Sequence, residues 1–145
     1  MHRKHAFFHI GGAAIAVLLA FASPSYAETV QLKAALSGAS EVPPNQSAGT
    51  GTVTATFDTA SKQLSWKGDY AGLSGPATAA HFHGPADAGK NAGVAVPITP
   101  STSPFTGSAT LTDSQASDLL AGRWYVNIHT AANPGGEVRG QLLKM

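Results

Sequence analysis

Apolar and polar residues alternate along most of the chain, which is the pattern of β-strands with one buried face. Turn residues separate the alternating stretches, above all Pro43-Pro44 and Asn133-Pro134-Gly135-Gly136. Short strands with turns between them are typical of an antiparallel sandwich or barrel. We therefore predict an all-β domain whose strands lie at residues 29–36, 52–57, 64–70, 79–83, 94–98, 105–111, 123–129 and 138–142.

One short helix interrupts the strand pattern at residues 112–121. Thr112 can cap its first turn, and Gln115 stands at the spacing of a capping box. Leu119 and Leu120 are expected to close one end of the core, and Gly122 to end the helix.

Residues 1–27 have the pattern of a secretory signal peptide. Arg3 and Lys4 precede an apolar run over 6–22, Ser23-Pro24 ends that run, and small residues lead up to a cleavage point after Ala27. A membrane anchor is the alternative, but the uninterrupted apolar core is short for a span of roughly 20 residues. We expect residues 28–145 to form one domain, secreted or periplasmic, with no membrane contact once the leader is removed.

Charge and composition exclude several function classes. The chain has nine Lys and Arg against eight Asp and Glu, and loss of Arg3 and Lys4 with the leader leaves seven against eight, a net charge of −1. No basic stripe remains, so nucleic acid is not an expected partner. The chain has no cysteine, which excludes disulfides, thiolate metal sites and cysteine nucleophiles. No G-x-S-x-G or phosphate-loop motif is present.

Three histidines carry the strongest chemical signal. His81, His83 and His129 are the only histidines outside the leader. His81 and His83 share one face of a predicted strand, roughly 6.5–7 Å apart at Cα, and His129 lies near the end of another strand. Three imidazoles with an open position suit copper or zinc. The fourth ligand is expected to be water or an oxygen of Asp87.

The histidines and their polar neighbours also fit roles without a metal. The histidines can form a buried hydrogen-bonded cluster or lie on a solvated face without a ligand. Asn127 and Tyr125 share the face of His129, either as hydrogen-bonding partners of the metal ligands or, the more common case, as exposed sheet residues. Arg139 is either an anion guide beside the metal or the partner of an ion pair with Glu137, Asp69 or Asp87.

Three motifs closely resemble the CHRD domain, which is named after the extracellular animal protein chordin and is found widely in bacterial exported proteins. The resemblance covers about residues 30–143. It implies an immunoglobulin-like, Greek-key β-sandwich in an extracytoplasmic setting, and its molecular function is poorly defined. The motifs are Leu36-Ser37-Gly38-Ala39-Ser40-Glu41-Val42-Pro43-Pro44, His81-Phe82-His83-Gly84-Pro85-Ala86, and Tyr125-Val126-Asn127-Ile128-His129-Thr130 followed by Asn133-Pro134-Gly135-Gly136-Glu137-Val138-Arg139-Gly140-Gln141-Leu142.

The chain also bears a fainter likeness to copper-zinc superoxide dismutases. It has a His-x-His strand, a Gly122-Arg123 pair leading to His129, and Gly135-Gly136 leading to Arg139. The likeness implies that the three histidines bind copper and that Arg139 faces an anion site. The chain lacks a bridging histidine, a histidine-rich zinc loop and the disulfide cysteines, so the implied site binds copper without efficient turnover of superoxide.

Two functions from different classes follow. The first, which we favour, is an exported protein that binds or handles copper, with zinc as the other metal, through His81, His83 and His129. The second is an extracellular interaction or matrix module with an unknown protein partner, in which the histidines help to hold a loop. A weak copper-dependent redox enzyme is a minor variant of the first; the sequence leaves open whether the protein is an enzyme, and a role without catalysis is favoured.

Overall fold

The fold is described for residues 26–145 of a computed structural model. The predicted signal peptide lies outside the described residues, apart from Tyr26 and Ala27. Eight strands and one α-helix make up the described chain, with a short 3-10 turn at Gly38–Ser40. The strands are β1 (Thr29–Ser37), β2 (Thr50–Asp58), β3 (Gln63–Ala71), β4 (Ala77–His83), β5 (Val94–Pro97), β6 (Phe105–Thr110), β7 (Trp124–Thr130) and β8 (Val138–Lys144), and the helix α1 (Asp113–Leu120) lies between β6 and β7.

The strands form one antiparallel sheet in the order β5-β4-β7-β8-β1-β2-β3-β6. The chain crosses between the two halves of this sheet after β3, after β5 and again through α1. Although β3 and β4 are far apart in the sheet order, the rings of Trp66 and Phe82 meet with centroids 4.9 Å apart. The two halves therefore pack face to face, and the prediction of an all-β, sandwich-like antiparallel fold with one short helix is confirmed.

Strand alternation places the core as predicted. The predicted inward residues of β2, β4 and β7 are buried, as are those of β1 apart from Val30, which is partly buried at the margin of the core. Leu119 of α1 closes the core while Leu120 is only partly buried. The capping box between Thr112 and Gln115 is present, and Gly122, with φ +72°, ends the helix. Tyr70 is only partly buried at the margin of the core.

The outer face of β7 is also buried, contrary to the simpler expectation from the sequence. Tyr125 and Asn127 are 2% and 3% exposed, so the view that they are ordinary exposed sheet residues is wrong. The loop between β4 and β5 covers this face. Arg139 of β8 holds the loop there by donating hydrogen bonds to Asn91 Oδ1 and to the Lys90 carbonyl. Polar residues on strands β4, β7 and β8 thus lie beneath loops. Within residues 26–145, no helix is long and apolar enough to cross a membrane.

Candidate metal centre

Strand register brings the three histidines to one place on the outer face. His81 and His83 point outward from β4, because Ala80 and Phe82 point into the core. In the pairing of β4 with β7, His81 lies opposite Asn127, Ala79 opposite His129 and His83 opposite Tyr125. His129 is therefore a diagonal neighbour of His81, and one nitrogen of each histidine lies within 4.8 Å of the others.

Backbone carbonyls fix two of the three imidazole rings. Nδ1 of His83 lies 3.0 Å from the Ala92 carbonyl oxygen, and Nδ1 of His129 lies 2.9 Å from the Pro134 carbonyl oxygen. A carbonyl oxygen only accepts hydrogen bonds, so each neutral ring carries its proton on Nδ1 and a lone pair on Nε2. Nδ1 of His81, 3.1 Å from Nε2 of His129, then donates to that lone pair. Nε2 of His83 is buried and has no hydrogen-bond partner.

The environment favours neutral imidazoles. Burial lowers the pKa of His81, and the neighbouring rings of His129 and His83 lower it further. Burial also lowers the pKa of His83, although the Ala92 backbone and the Asn127 side chain act in the opposite direction. The lowered pKa values favour the neutral form of both rings near neutral pH, and neutral imidazole is the form that binds metals.

Tyr125 packs directly against the cluster. Its ring is stacked on that of His83, with centroids 4.8 Å apart and planes 3° from parallel. Its hydroxyl lies 3.2 Å from both the backbone N–H and the carbonyl oxygen of Ala92, the same carbonyl that accepts from His83. Tyr125 therefore holds both the ring of His83 and its backbone acceptor, as a hydrogen-bonding and packing partner of a ligand would.

Arg139 does not lie where an anion guide beside His83 would. Its guanidinium carbon is 3.4 Å from the centroid of the Tyr125 ring, and β4 and β8 flank β7 on opposite sides. The Tyr125 ring thus stands between His83 and Arg139. Among residues 26–145, Arg139 forms none of the expected ion pairs, since Asn91 and Lys90 take its hydrogen bonds and serine and threonine side chains hold the Glu137 carboxylate.

Asp87 also lies outside the cluster. Its side chain is 80% exposed, and its Oδ1 is 3.6 Å from Nε of Arg123, at the end of β7 that is remote from His129. The structure therefore does not bring Asp87 to the three histidines as a fourth ligand.

The turn at residues 133–136 organises the other side of the site. Its successive carbonyls accept from two β7 side chains, Pro134 from His129 and, at 3.4 Å, Gly135 from Asn127 Nδ2. A Cβ atom at Gly136 would lie 2.4 Å from Oε1 of Glu41 and 2.6 Å from Nδ2 of Asn127. The turn therefore needs glycine at this position, where Asn127 and Glu41 press against its backbone.

Sequence reasoning missed Glu41. It is 5% exposed, and its Oε1 has no hydrogen-bond partner. Burial raises the pKa of Glu41 to about 7, although the Arg139 charge, the Val42 backbone and the Asn127 side chain lower it. Glu41 lies in a loop rich in glycine and proline, where the sequence pattern does not report burial. Its position within the Glu41-Val42-Pro43-Pro44 motif was the only sequence signal that pointed to it.

The fold and the site together define an antiparallel β-domain with three histidines converging on one sheet face. The sequence model of the CHRD domain family matches residues 32–142, and the chain belongs to that family. Comparison with curated protein sequences and with solved structures gave no match.

Proposed function

We propose that this CHRD domain binds a copper ion, with zinc as the alternative, through His81, His83 and His129, and that it serves in metal binding or handling outside the cytoplasm. The observation that carries the proposal is the convergence of three imidazole nitrogens to within 4.8 Å, two on one strand and one on its neighbour. The strongest support beside it is Nε2 of His83, a buried acceptor without a partner.

The spacing suits one small cation. Ligands at about 2.0–2.1 Å from a tetrahedral or trigonal ion are roughly 3.3–3.5 Å from one another. The His81–His129 nitrogen pair is already at 3.1 Å, and the remaining separations, up to 4.8 Å, close with small side-chain rotations. The hydrogen bond between His81 and His129 gives way to two metal bonds when His81 moves its proton to Nε2.

The donor set supports a late first-row metal. Imidazole nitrogen suits copper and zinc, and affinity for a given site rises to copper in the divalent series. No thiolate is available, because the chain has no cysteine. The carbonyl oxygens of Ala92 and Pro134 hold the Nδ1–H groups of two ligands, as such partners commonly do in metal sites.

Copper titration of histidine variants tests the proposal. The protein is the full chain without an affinity tag, with His2, His5 and His9 replaced by Gln in every sample so that the leader contributes no imidazole. Isothermal titration with Cu(II) and, separately, Zn(II) should give one tight site per chain. Each of the variants His81→Ala, His83→Ala and His129→Ala should weaken metal binding at least about 100-fold.

The matched control is Lys33→Ala, an exposed position of β1 on the other half of the sheet. It should bind as the parent does, and circular dichroism should show the same β-fold in all variants. Copper affinity that is unchanged in all three histidine variants would refute the proposal.

A second function, an extracellular interaction module, is favoured by a specific observation. His83 and His129 each tie a covering loop to the sheet through one backbone carbonyl, as expected if the histidines only hold loops in place. In that case the titration shows no stoichiometric metal site, and the histidine variants lose stability instead.

A redox activity like that of superoxide dismutase has less support. The Tyr125 ring separates Arg139 from His83, so this guanidinium does not face the histidine cluster. Assaying superoxide consumption by the copper-loaded protein against its His83→Ala variant tests this variant of the proposal.

A further inference from the structure

The fourth side of the histidine cluster is formed by Asn127. Across the paired strands, Asn127 lies directly opposite His81, two residues before His129 on β7, and diagonal to His83. Its side chain is on the same outer face as the three imidazoles and is 3% exposed.

The orientation of the Asn127 amide is fixed by its neighbours. Nδ2 is directed to the Gly135 carbonyl, an acceptor, and lies against Gly136 beside the carboxyl of Glu41. The amide nitrogen is thus held on the turn side. Oδ1 is left on the His83 side, where it is buried and has no hydrogen-bond partner.

Neither Nε2 of His83 nor Oδ1 of Asn127 has a hydrogen-bond partner, although both atoms are buried. Among residues 26–145, four buried side-chain polar atoms lack a partner, and three of them belong to His83, Asn127 and Glu41. A buried polar atom without a partner loses its hydration with no compensation, so two such atoms on neighbouring positions of β4 and β7, in His83 and Asn127, call for a cause such as an ion. A cation between Nε2 of His83 and Oδ1 of Asn127 satisfies both atoms.

We propose that Asn127 is the fourth ligand of the metal site, through Oδ1, and that Glu41 is a positioning residue that keeps the Asn127 amide turned so that oxygen faces the ion. The inference rests on the proposed function and completes a set of three nitrogens and one oxygen. It replaces the fourth ligand expected from the sequence, water or Asp87, with a buried neutral oxygen.

Copper spectroscopy in ¹⁷O-enriched water tests the assignment. In the Cu(II)-loaded full chain, with the leader histidines replaced as above, Asn127→Leu removes the oxygen and opens a position for water. The variant should lose affinity roughly 10- to 100-fold and gain a ¹⁷O coupling that the parent lacks. Gln31→Leu, a comparable loss of an amide at an exposed position of β1, should leave affinity and spectrum as in the parent.

Three further variants keep the test decisive if Asn127→Leu does not fold. Asn127→Asp supplies a charged oxygen at the same place, so it should bind Cu(II) more tightly than the parent and change the copper hyperfine splitting. Glu41→Ala releases the amide and should weaken binding, whereas Glu41→Gln, which keeps an acceptor oxygen, should restore it.

The outcomes separate this inference from the proposed function. A parent protein that binds no copper ends both. Tight copper binding by the parent, with affinity and spectrum unaltered in the Asn127 variants, retains the three-histidine site and overturns Asn127 as a ligand.

Discussion

Nδ1 of His81 lies 3.1 Å from Nε2 of His129, although 48 residues separate the two histidines along the chain. Pairing of β4 with β7 produces this contact, because Ala79 opposes His129 and so sets His129 diagonally across from His81. The register of two neighbouring strands therefore places the side chains of the site.

Metal binding should weaken at a lower pH than in a site built from exposed histidines. The pKa values of His81 and His83 lie below their ordinary value of 6.5, mainly because of burial. Protons compete with the metal only as the pH falls through these lowered pKa values. In the His129→Ala variant, whose imidazole ligands are His81 and His83 alone, copper affinity measured by competition with a chelator should begin to fall at a lower pH than that of an unstructured His-Phe-His peptide measured alongside. A decline that begins at the same pH as in the peptide, or at a higher one, would contradict the expectation.

Glu137 should make the fold sensitive to acid. Burial acts to raise its pKa, but hydrogen bonds from Ser47, Ser74 and Thr130 outweigh burial and lower the pKa to about 2. Because the folded pKa is below the unfolded one, the stabilisation is complete above about pH 4.5 and is lost as the pH falls toward 2.

The Glu137→Gln variant tests this sensitivity. It leaves donors unsatisfied and should cost on the order of 3 kcal/mol of unfolding free energy at pH 7, with the difference from the parent shrinking between pH 5 and pH 2. Urea unfolding at a series of pH values measures it. Asp69→Asn, an exposed change on β3, is the control, and a pH-independent difference for Glu137→Gln would speak against this role of the carboxylate.

Trp124 should be a main stabiliser of the core. It is 1% exposed and lies 6.1 Å from the Phe82 ring between centroids. Trp124→Ala should lower the unfolding free energy by about 3–5 kcal/mol, whereas Leu143→Ala, at a half-exposed position of β8, should cost about 0.5 kcal/mol or less. Denaturant unfolding followed by circular dichroism distinguishes the two, and equal losses would show that Trp124 is not a core residue.

Adjacent glycines in the 133–136 turn should respond differently to the same change. Gly136 has φ +128°, and a Cβ there would meet Glu41 and Asn127, so Gly136→Ala should cost about 1–3 kcal/mol and also weaken copper binding. Gly135→Ala meets nothing within 4 Å and should stay within about 0.5 kcal/mol of the parent. Thermal melting and copper titration of both variants are the measurements, and equal behaviour would exclude a special role for Gly136.

The strands were predictable because alternation reports burial on one face directly. Val53, Ala55 and Phe57, or Trp124, Val126 and Ile128, need only a period of two to be placed inward. The same period predicts that His81 and His83 point to one face of their strand. The contact of His129 with His81 and His83 could only be a hypothesis from the sequence. It depends on which strands are neighbours in the sheet, and the residue pattern of a single strand does not determine that order.

The buried outer layer was not predictable from the same pattern. Tyr125 and Asn127 occupy positions that alternation assigns to the exposed face, and only the loops lying over β7 bury them. Glu41 lies in a loop, where no periodicity applies, and its burial depends on contacts with the distant Gly136. Such contacts depend on loop paths, which local composition leaves open.

X-ray absorption of the copper-loaded protein tests the three-histidine site most directly. We predict multiple scattering from three imidazole rings with Cu–N distances of about 2.0 Å, and loss of this signal in the combined variant His81→Ala, His83→Ala, His129→Ala. A spectrum with one imidazole or none in the parent, or one that the combined variant leaves unchanged, would contradict the site.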